Sequence, residues 1–108
     1  MKIIWTEQAV DKLEKYTDYI AYDKPEAALK WAKKIQVSVE NLKNFPMLGR
    51  EVPEIQRSEI RELIIGEYRV IYRLETDLIS IITIYHSKQL LKKSEILKRK
   101  KTKQENTG

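Results

Sequence analysis

Apolar residues recur with a helical period in the first half of the chain and with a strand period in the second. Residues 1–5 (MKIIW) are rich in Ile and Trp and read as a short strand. Thr6 follows as a helix N-cap, with Glu7 where the positive end of the helix dipole favours a carboxylate. Ala9, Leu13, Tyr16 and Ile20 then form the stripe of an amphipathic helix. Asp23-Lys24-Pro25 interrupts it, and Pro25 suits the first turn of a second helix, where its missing N–H would have no partner anyway. Ala28, Ala32, Ile35, Val39 and Leu42 form the second stripe, which Asn44-Phe45-Pro46 ends. The pattern predicts an antiparallel helical hairpin, with Ala28 and Ala32 letting the two axes approach closely.

Residues 47–58 carry Gly49, Pro53 and several charges and read as a loop. A strand is predicted over 60–65. Gly66-Glu67 then suits a two-residue hairpin turn with Gly first. Residues 68–74 set Tyr68, Val70, Tyr72 and Leu74 against Arg69, Ile71 and Arg73, the period of a half-buried strand. After Glu75-Thr76-Asp77, residues 78–85 are nearly all apolar, as in a central strand buried on both faces. An optional last helix falls over 90–100, with Leu91, Ile96 and Leu97 as its apolar set. The order β-α-α-β-β-β reads as α+β: one antiparallel β-sheet with an N-terminal helical hairpin packed on one face.

At 108 residues the chain is one domain's worth, predicted over 1–97 with a basic, disordered tail at 98–108. A hydrophobic share of 42% beside 34% charged residues excludes a disordered chain. The absence of Cys excludes disulfides and thiolate chemistry, and a single His excludes a zinc site of His and Cys ligands. No cofactor is expected. No apolar run approaches a membrane span and no signal-peptide pattern opens the chain, so the cytoplasm is the expected compartment. The net charge of +5 suggests a nucleic-acid binder until it is located. Residues 88–108 hold eight basic and two acidic side chains, leaving 13 basic and 14 acidic for residues 1–87. The body is nearly neutral, so function there must come from a few placed groups.

Those groups are Arg61, Arg69 and Arg73 on strands and His86 at a strand end. Guanidiniums beside an imidazole suit a phosphodiester. Arg stabilises charge on the non-bridging oxygens, and His donates or accepts a proton near neutral pH. Arg61 and Arg69 flank one turn and are expected to approach each other. Each candidate also has an ordinary structural role. Arg69 can pair with Glu62 or Glu75, Arg61 with Glu59 or Glu75, and His86 can bond a nearby backbone group. Arg50 can order its loop through Glu51 or Glu54. Tyr16, Tyr19 and Trp31 are expected to pack between helices, and the Lys-rich run at 98–103 to be a solvated end that attracts nucleic acid non-specifically.

Several segments, taken in order, carry a resemblance. They are Ile4-Trp5-Thr6; Asp18-Tyr19-Ile20; Pro25 with Ala28; Phe45-Pro46-Met47-Leu48-Gly49-Arg50; Val52-Pro53-Glu54; Arg61-Glu62-Leu63; Tyr68-Arg69-Val70-Ile71-Tyr72-Arg73; and Ile81 to His86. This set resembles the toxins of the RelE/ParE superfamily of type II toxin–antitoxin modules, from Ile3 to about Leu91. The implied fold agrees with the order read from periodicity. Arg69 falls where mRNA-cleaving members of the RelE branch use an Arg, and His86 falls near their terminal His. The strand before the hairpin, however, reads Ile60-Arg61-Glu62 where some members carry paired Lys, and Ser87 stands where some carry a Tyr. The full helical hairpin and the Phe45–Arg50 turn are more similar to the ParE branch.

The resemblance implies a growth-inhibiting toxin that binds DNA gyrase. The alternative target is the ribosome, where it would cleave mRNA with Arg69, His86 and Arg61 as the candidate groups. A third reading is an inactive basic domain that binds nucleic acid through its tail. The family also implies a cognate antitoxin as partner, a toxin–antitoxin hetero-oligomer and no membrane. Leu90, Leu91, Ile96 and Leu97 have few partners in a short last helix and are expected to contact that antitoxin.

Overall fold

The computed structural model of the protein describes residues 1–98, so most of the predicted tail lies outside the described residues. Strand β1 (Lys2–Trp5) leads into α1 (Glu7–Asp23) and α2 (Pro25–Glu40), which runs on into a 3-10 turn at Asn41–Lys43. Strands β2 (Arg50–Glu51), β3 (Ile60–Ile65), β4 (Tyr68–Leu74) and β5 (Leu78–His86) follow, and then a short helix α3 (Lys93–Leu97). The strands form one sheet in the order β1-β5-β4-β3-β2.

Strands β2 to β5 pair antiparallel, as the alternation and turns predict. Strand β1 differs: it pairs in parallel with β5, from Lys2 against Leu78 to Trp5 against Ile81. Parallel neighbours need a long connection, and here the whole hairpin and meander supply it. The loop read at 47–58 also contributes the two residues of β2. The last helix is shorter than the span its apolar set suggested. Gly66 sits at a φ of 60°, which its missing side chain permits, and opens the tight turn that pairs Ile65 with Tyr68.

Thr6 hooks the hairpin to the sheet. Its Oγ accepts from the Ala9 N–H at 3.1 Å and donates to the Ile82 carbonyl at 2.7 Å. Of the two alanines expected between the helices Ala28 is buried and Ala32 half-buried, and Ala9, Ile35, Val39 and Leu42 are buried under the hairpin. The main core joins these residues to Leu63, Ile65, Tyr68, Val70, Tyr72, Ile79, Ile81 and Ile84. A smaller core lies on the opposite, outer face: Val52, Ile60, Ile71, Ile82, Tyr85 and Ile96. Among the described residues no helix is long and apolar enough to cross a membrane.

Candidate functional site

The outer face of the sheet carries a chain of four charges. The turn at Gly66 pairs Ile64 with Arg69 and Glu62 with Ile71, so Glu62 and Arg69 lie diagonally on one face. Arg69 Nε donates to Glu62 Oε1 at 2.6 Å. Its two terminal amino groups donate to the two oxygens of Glu54, at 2.9 and 2.8 Å. Arg50 Nε donates to the other oxygen of Glu62 at 2.8 Å. Glu62 itself is buried. The fork-on-fork pairing of Arg69 with Glu54 is the strong geometry for such ions. It holds the Glu54 carboxyl at a pKa of about 2, and the hydrogen bonds that Arg69 donates to Glu54 and Glu62 raise that of the guanidinium. Each of the three side-chain nitrogens of Arg69 is therefore engaged by a carboxylate of this chain. Glu62 is the partner expected for it; Glu54 takes the place expected for Glu75.

Arg61 serves the same loop from the other face. Its Nε donates to the Gly49 carbonyl at 2.8 Å and its Nη1 to the Ser58 carbonyl at 3.1 Å, so it holds backbone rather than a carboxylate. The Tyr72 hydroxyl accepts from the Gly49 N–H and donates to the Pro46 carbonyl, both at 2.9 Å. Gly49 lies so close to the sheet that an added Cβ would stand 2.5 Å from the Glu62 carbonyl oxygen. The Phe-Pro-x-x-Gly-Arg turn is thus a lock. Tyr72, Arg61, Arg69 and Glu62 fasten the segment between the 3-10 turn and β3, with Val52 buried beneath it.

His86 lies apart from this network. It pairs in register with Tyr68, and the two rings meet edge-on at 5.1 Å. Tyr68 in turn touches Trp31 at 4.8 Å and Tyr16 at 5.0 Å, so Tyr16 and Trp31 pack as expected. Tyr19 is exposed instead. His86 Nδ1 accepts from the Lys88 N–H at 3.2 Å, and its Nε2 is 3.7 Å from Glu67. Arg69 is paired with Tyr85, one position from the Tyr68–His86 pair, so Arg69 and His86 lie on opposite faces of the sheet. Arg61 shares the face of His86 but is set opposite Tyr72, four residues along β4 from Tyr68. The three candidate groups do not converge on one point.

The predicted antitoxin-contacting set also divides. Ile96 is fully buried in the outer core and Leu91 packs against it, while Leu90 and Leu97 are exposed. Arg73 holds α3 down by donating to the Ile96 carbonyl at 3.2 Å. Tyr85 donates to Glu95 at 2.6 Å, and Lys12 Nζ lies 4.5 Å above the Tyr85 ring. Sequence reasoning missed Tyr72, and it missed Glu62 and Glu54 as a joint clamp on Arg69. The first two were within reach, because the Gly66 turn fixes which residues face one another across β3 and β4. Glu54 was not, since nothing in a loop's composition sets its fold. Among the described residues no three His, Asp or Glu side chains gather as metal ligands would.

A family model described as the ParE toxin of type II toxin–antitoxin systems, parDE, matches residues 3–91. The chain belongs to the ParE toxin family. The candidate toxin Y4kP of Sinorhizobium fredii is 33% identical to it over 90 residues, 82% of this chain and 90% of that protein. Toxin RelE2 of Caulobacter vibrioides is 28% identical over 90 residues, 82% of this chain and 98% of that protein. A solved structure of the chromosomal ParDE toxin–antitoxin system from P. aeruginosa superposes with a TM-score of 0.68 at 25% identity, covering 80% of this chain and 95% of that one. The basic run after residue 91 lies beyond the matched span.

Proposed function

We propose that this ParE-family toxin stops growth by binding a protein target, DNA gyrase, and that a cognate antitoxin neutralises it in a cytoplasmic hetero-oligomer. One observation carries the choice of binding over cleavage. Arg69, the residue best placed by the family resemblance to stabilise a phosphate, is clamped by Glu54 and Glu62, with the sheet between it and His86. An acid–base group and a charge-stabilising group must reach the same reacting atoms. Arg69 is here a positioning residue, which keeps the locked turn in place for a partner.

Inducible expression with two readouts tests this. Filamentation, a DNA-damage response and gyrase-dependent DNA breaks are the expected result, with mRNA intact. His86→Ala is expected to keep full growth inhibition. The alternative is ribosome-dependent mRNA cleavage, and the name of the Caulobacter relative, RelE2, favours it. Rapid translation arrest with cleaved mRNA, abolished by His86→Ala in a folded protein, would establish that reading instead.

A further inference from the structure

Residues 88–108 hold the chain's excess of positive charge, and the described part of that segment lies beside α1. After β5 the Gln89 side chain accepts from the Tyr16 hydroxyl, and the Lys92 N–H donates to the Tyr85 hydroxyl at 3.4 Å. Lys88, Lys92 and Lys93 on this segment are exposed. From α1 comes Lys12, whose ammonium lies 4.5 Å above the Tyr85 ring and 5.9 Å from that of Tyr16. Lys15, one turn further along α1, is exposed. Two segments far apart in the sequence thus set five lysines along one seam. Helix α3 fixes where the seam continues. Ile96 is buried, Arg73 donates to the Ile96 and Leu97 carbonyls, and Tyr85 donates to Glu95. Lys98 follows this fastened helix, and the sequence carries the basic run on to residue 103, outside the described residues.

The lysines are held together against their own repulsion. Burial pushes the Lys12 pKa down, Glu95 opposes this, and the neighbouring Lys15 and Lys92 push it down further. Glu95 is the single acid among residues 88–98, and its carboxylate already accepts from Tyr85. At about 100° per residue, Asp11, Glu14 and Asp18 lie roughly 100–160° around α1 from Lys12, so their charge is directed away from it. Like charges one turn apart on a helix cost stability, and a polyanion laid along the seam relieves that cost. The two rings beside Lys12, Tyr16 and Tyr85, are themselves buried. The seam therefore offers ammonium groups to phosphates and no open ring on which a base could stack.

We propose that this seam binds the phosphate backbone of duplex DNA, independently of base sequence. The choice of DNA rests on the gyrase reading, because a target that works on DNA brings a duplex to the toxin. Attachment to a duplex does not depend on that reading.

The test is fluorescence anisotropy of a labelled duplex of about 20 base pairs with the purified full-length chain, from about 50 to 200 mM salt. Affinity is expected to fall steeply with salt, as neutralised phosphates release counterions. Lys15→Gln/Lys92→Gln/Lys93→Gln alters exposed side chains only, and a thermal melt verifies the fold. This triple variant is expected to weaken binding about tenfold at low salt and to lower the salt slope by about 2–3. A matched variant on α2, Lys30→Gln/Lys33→Gln/Lys34→Gln, removes the same charge and is expected to bind as the wild type does. Equal weakening by both would mean that net charge alone attracts DNA, which overturns the seam. So would a seam variant of wild-type affinity, with binding abolished only when the five basic residues of 98–103 become Gln. Tighter binding to an RNA duplex or to a single strand would overturn the choice of duplex DNA. Capture by phosphatidylserine vesicles without binding to DNA would reassign the seam to a membrane surface. A wild-type chain that does not bind the duplex overturns the proposal and leaves the gyrase reading standing. Duplex binding by a toxin that makes no gyrase-dependent DNA breaks would bring down that reading and keep the seam.

Discussion

The two faces of the sheet are held by different physics. On the helix face, Tyr16, Ile35, Val39 and Leu42 interlock with Tyr68, Val70 and Tyr72, and burial of apolar surface does the work. On the outer face six apolar residues make a smaller core, and beside it the chain Arg50–Glu62–Arg69–Glu54 ties down the loop. A packed apolar face tolerates a small loss of fit. An ion chain centred on the buried Glu62 and Arg69 does not, because removing either strands a charge away from water. The helix face therefore maintains the fold, and the outer face sets where the loop and its exposed side chains stand.

Glu62→Ala should break that contrast most severely. It leaves Arg69 with Glu54 alone and frees Arg50, and is expected to cost about 3–5 kcal/mol in urea unfolding. A loss well below ~1 kcal/mol would mean that the ions do not hold the outer face. Tyr72→Phe keeps the ring in the helix-side core and removes only the hydroxyl that bonds the Gly49 N–H and the Pro46 carbonyl. It should cost roughly 1–3 kcal/mol and speed amide exchange in the turn with little change in the helices. Equal acceleration everywhere would show that the turn and the hairpin open as one unit.

The smallest effect is in acid. Arg69 holds the Glu54 pKa at about 2, below the usual 4.5, so the folded state binds this proton more weakly than the unfolded one. The resulting stability is present above about pH 4.5 and is lost as the pH falls toward 2. Glu54 is partly exposed, so the contribution is expected to be about 1 kcal/mol or less. Melting Glu54→Gln beside the wild type from pH 6 to 2 should show a flatter acid limb for the variant. Parallel limbs would remove Glu54 from the ion chain.

Much of this was legible in the sequence. The helical stripes, the Thr6 cap, the Pro25 restart and the Gly66 turn each depend on neighbours a few residues away, and all appear where the pattern puts them. The candidate site was less legible, and one residue explains why. With an unbroken ladder after the turn at residues 75–77, Arg69 would face Ile84, and His86 would lie on the same side of the sheet. A bulge near Ile71 and Tyr72 inserts one extra residue of β5, so Arg69 faces Tyr85 and His86 lies on the other side. A local pattern of apolar residues in an all-apolar strand carries no mark of such a shift.

The parallel seat of β1 has a consequence for how the molecule comes into being. The first strand and the Thr6 hook close on Ile81 and Ile82, a separation of 76 residues for the Thr6–Ile82 bond. During synthesis the helical hairpin emerges early, but the strand it must rest on is the last of the described strands to be made. Most contacts that define the fold wait for that strand, and such distant closures form slowly. A nascent chain therefore cannot close this fold until β5 has left the ribosome, long after the helical hairpin has emerged.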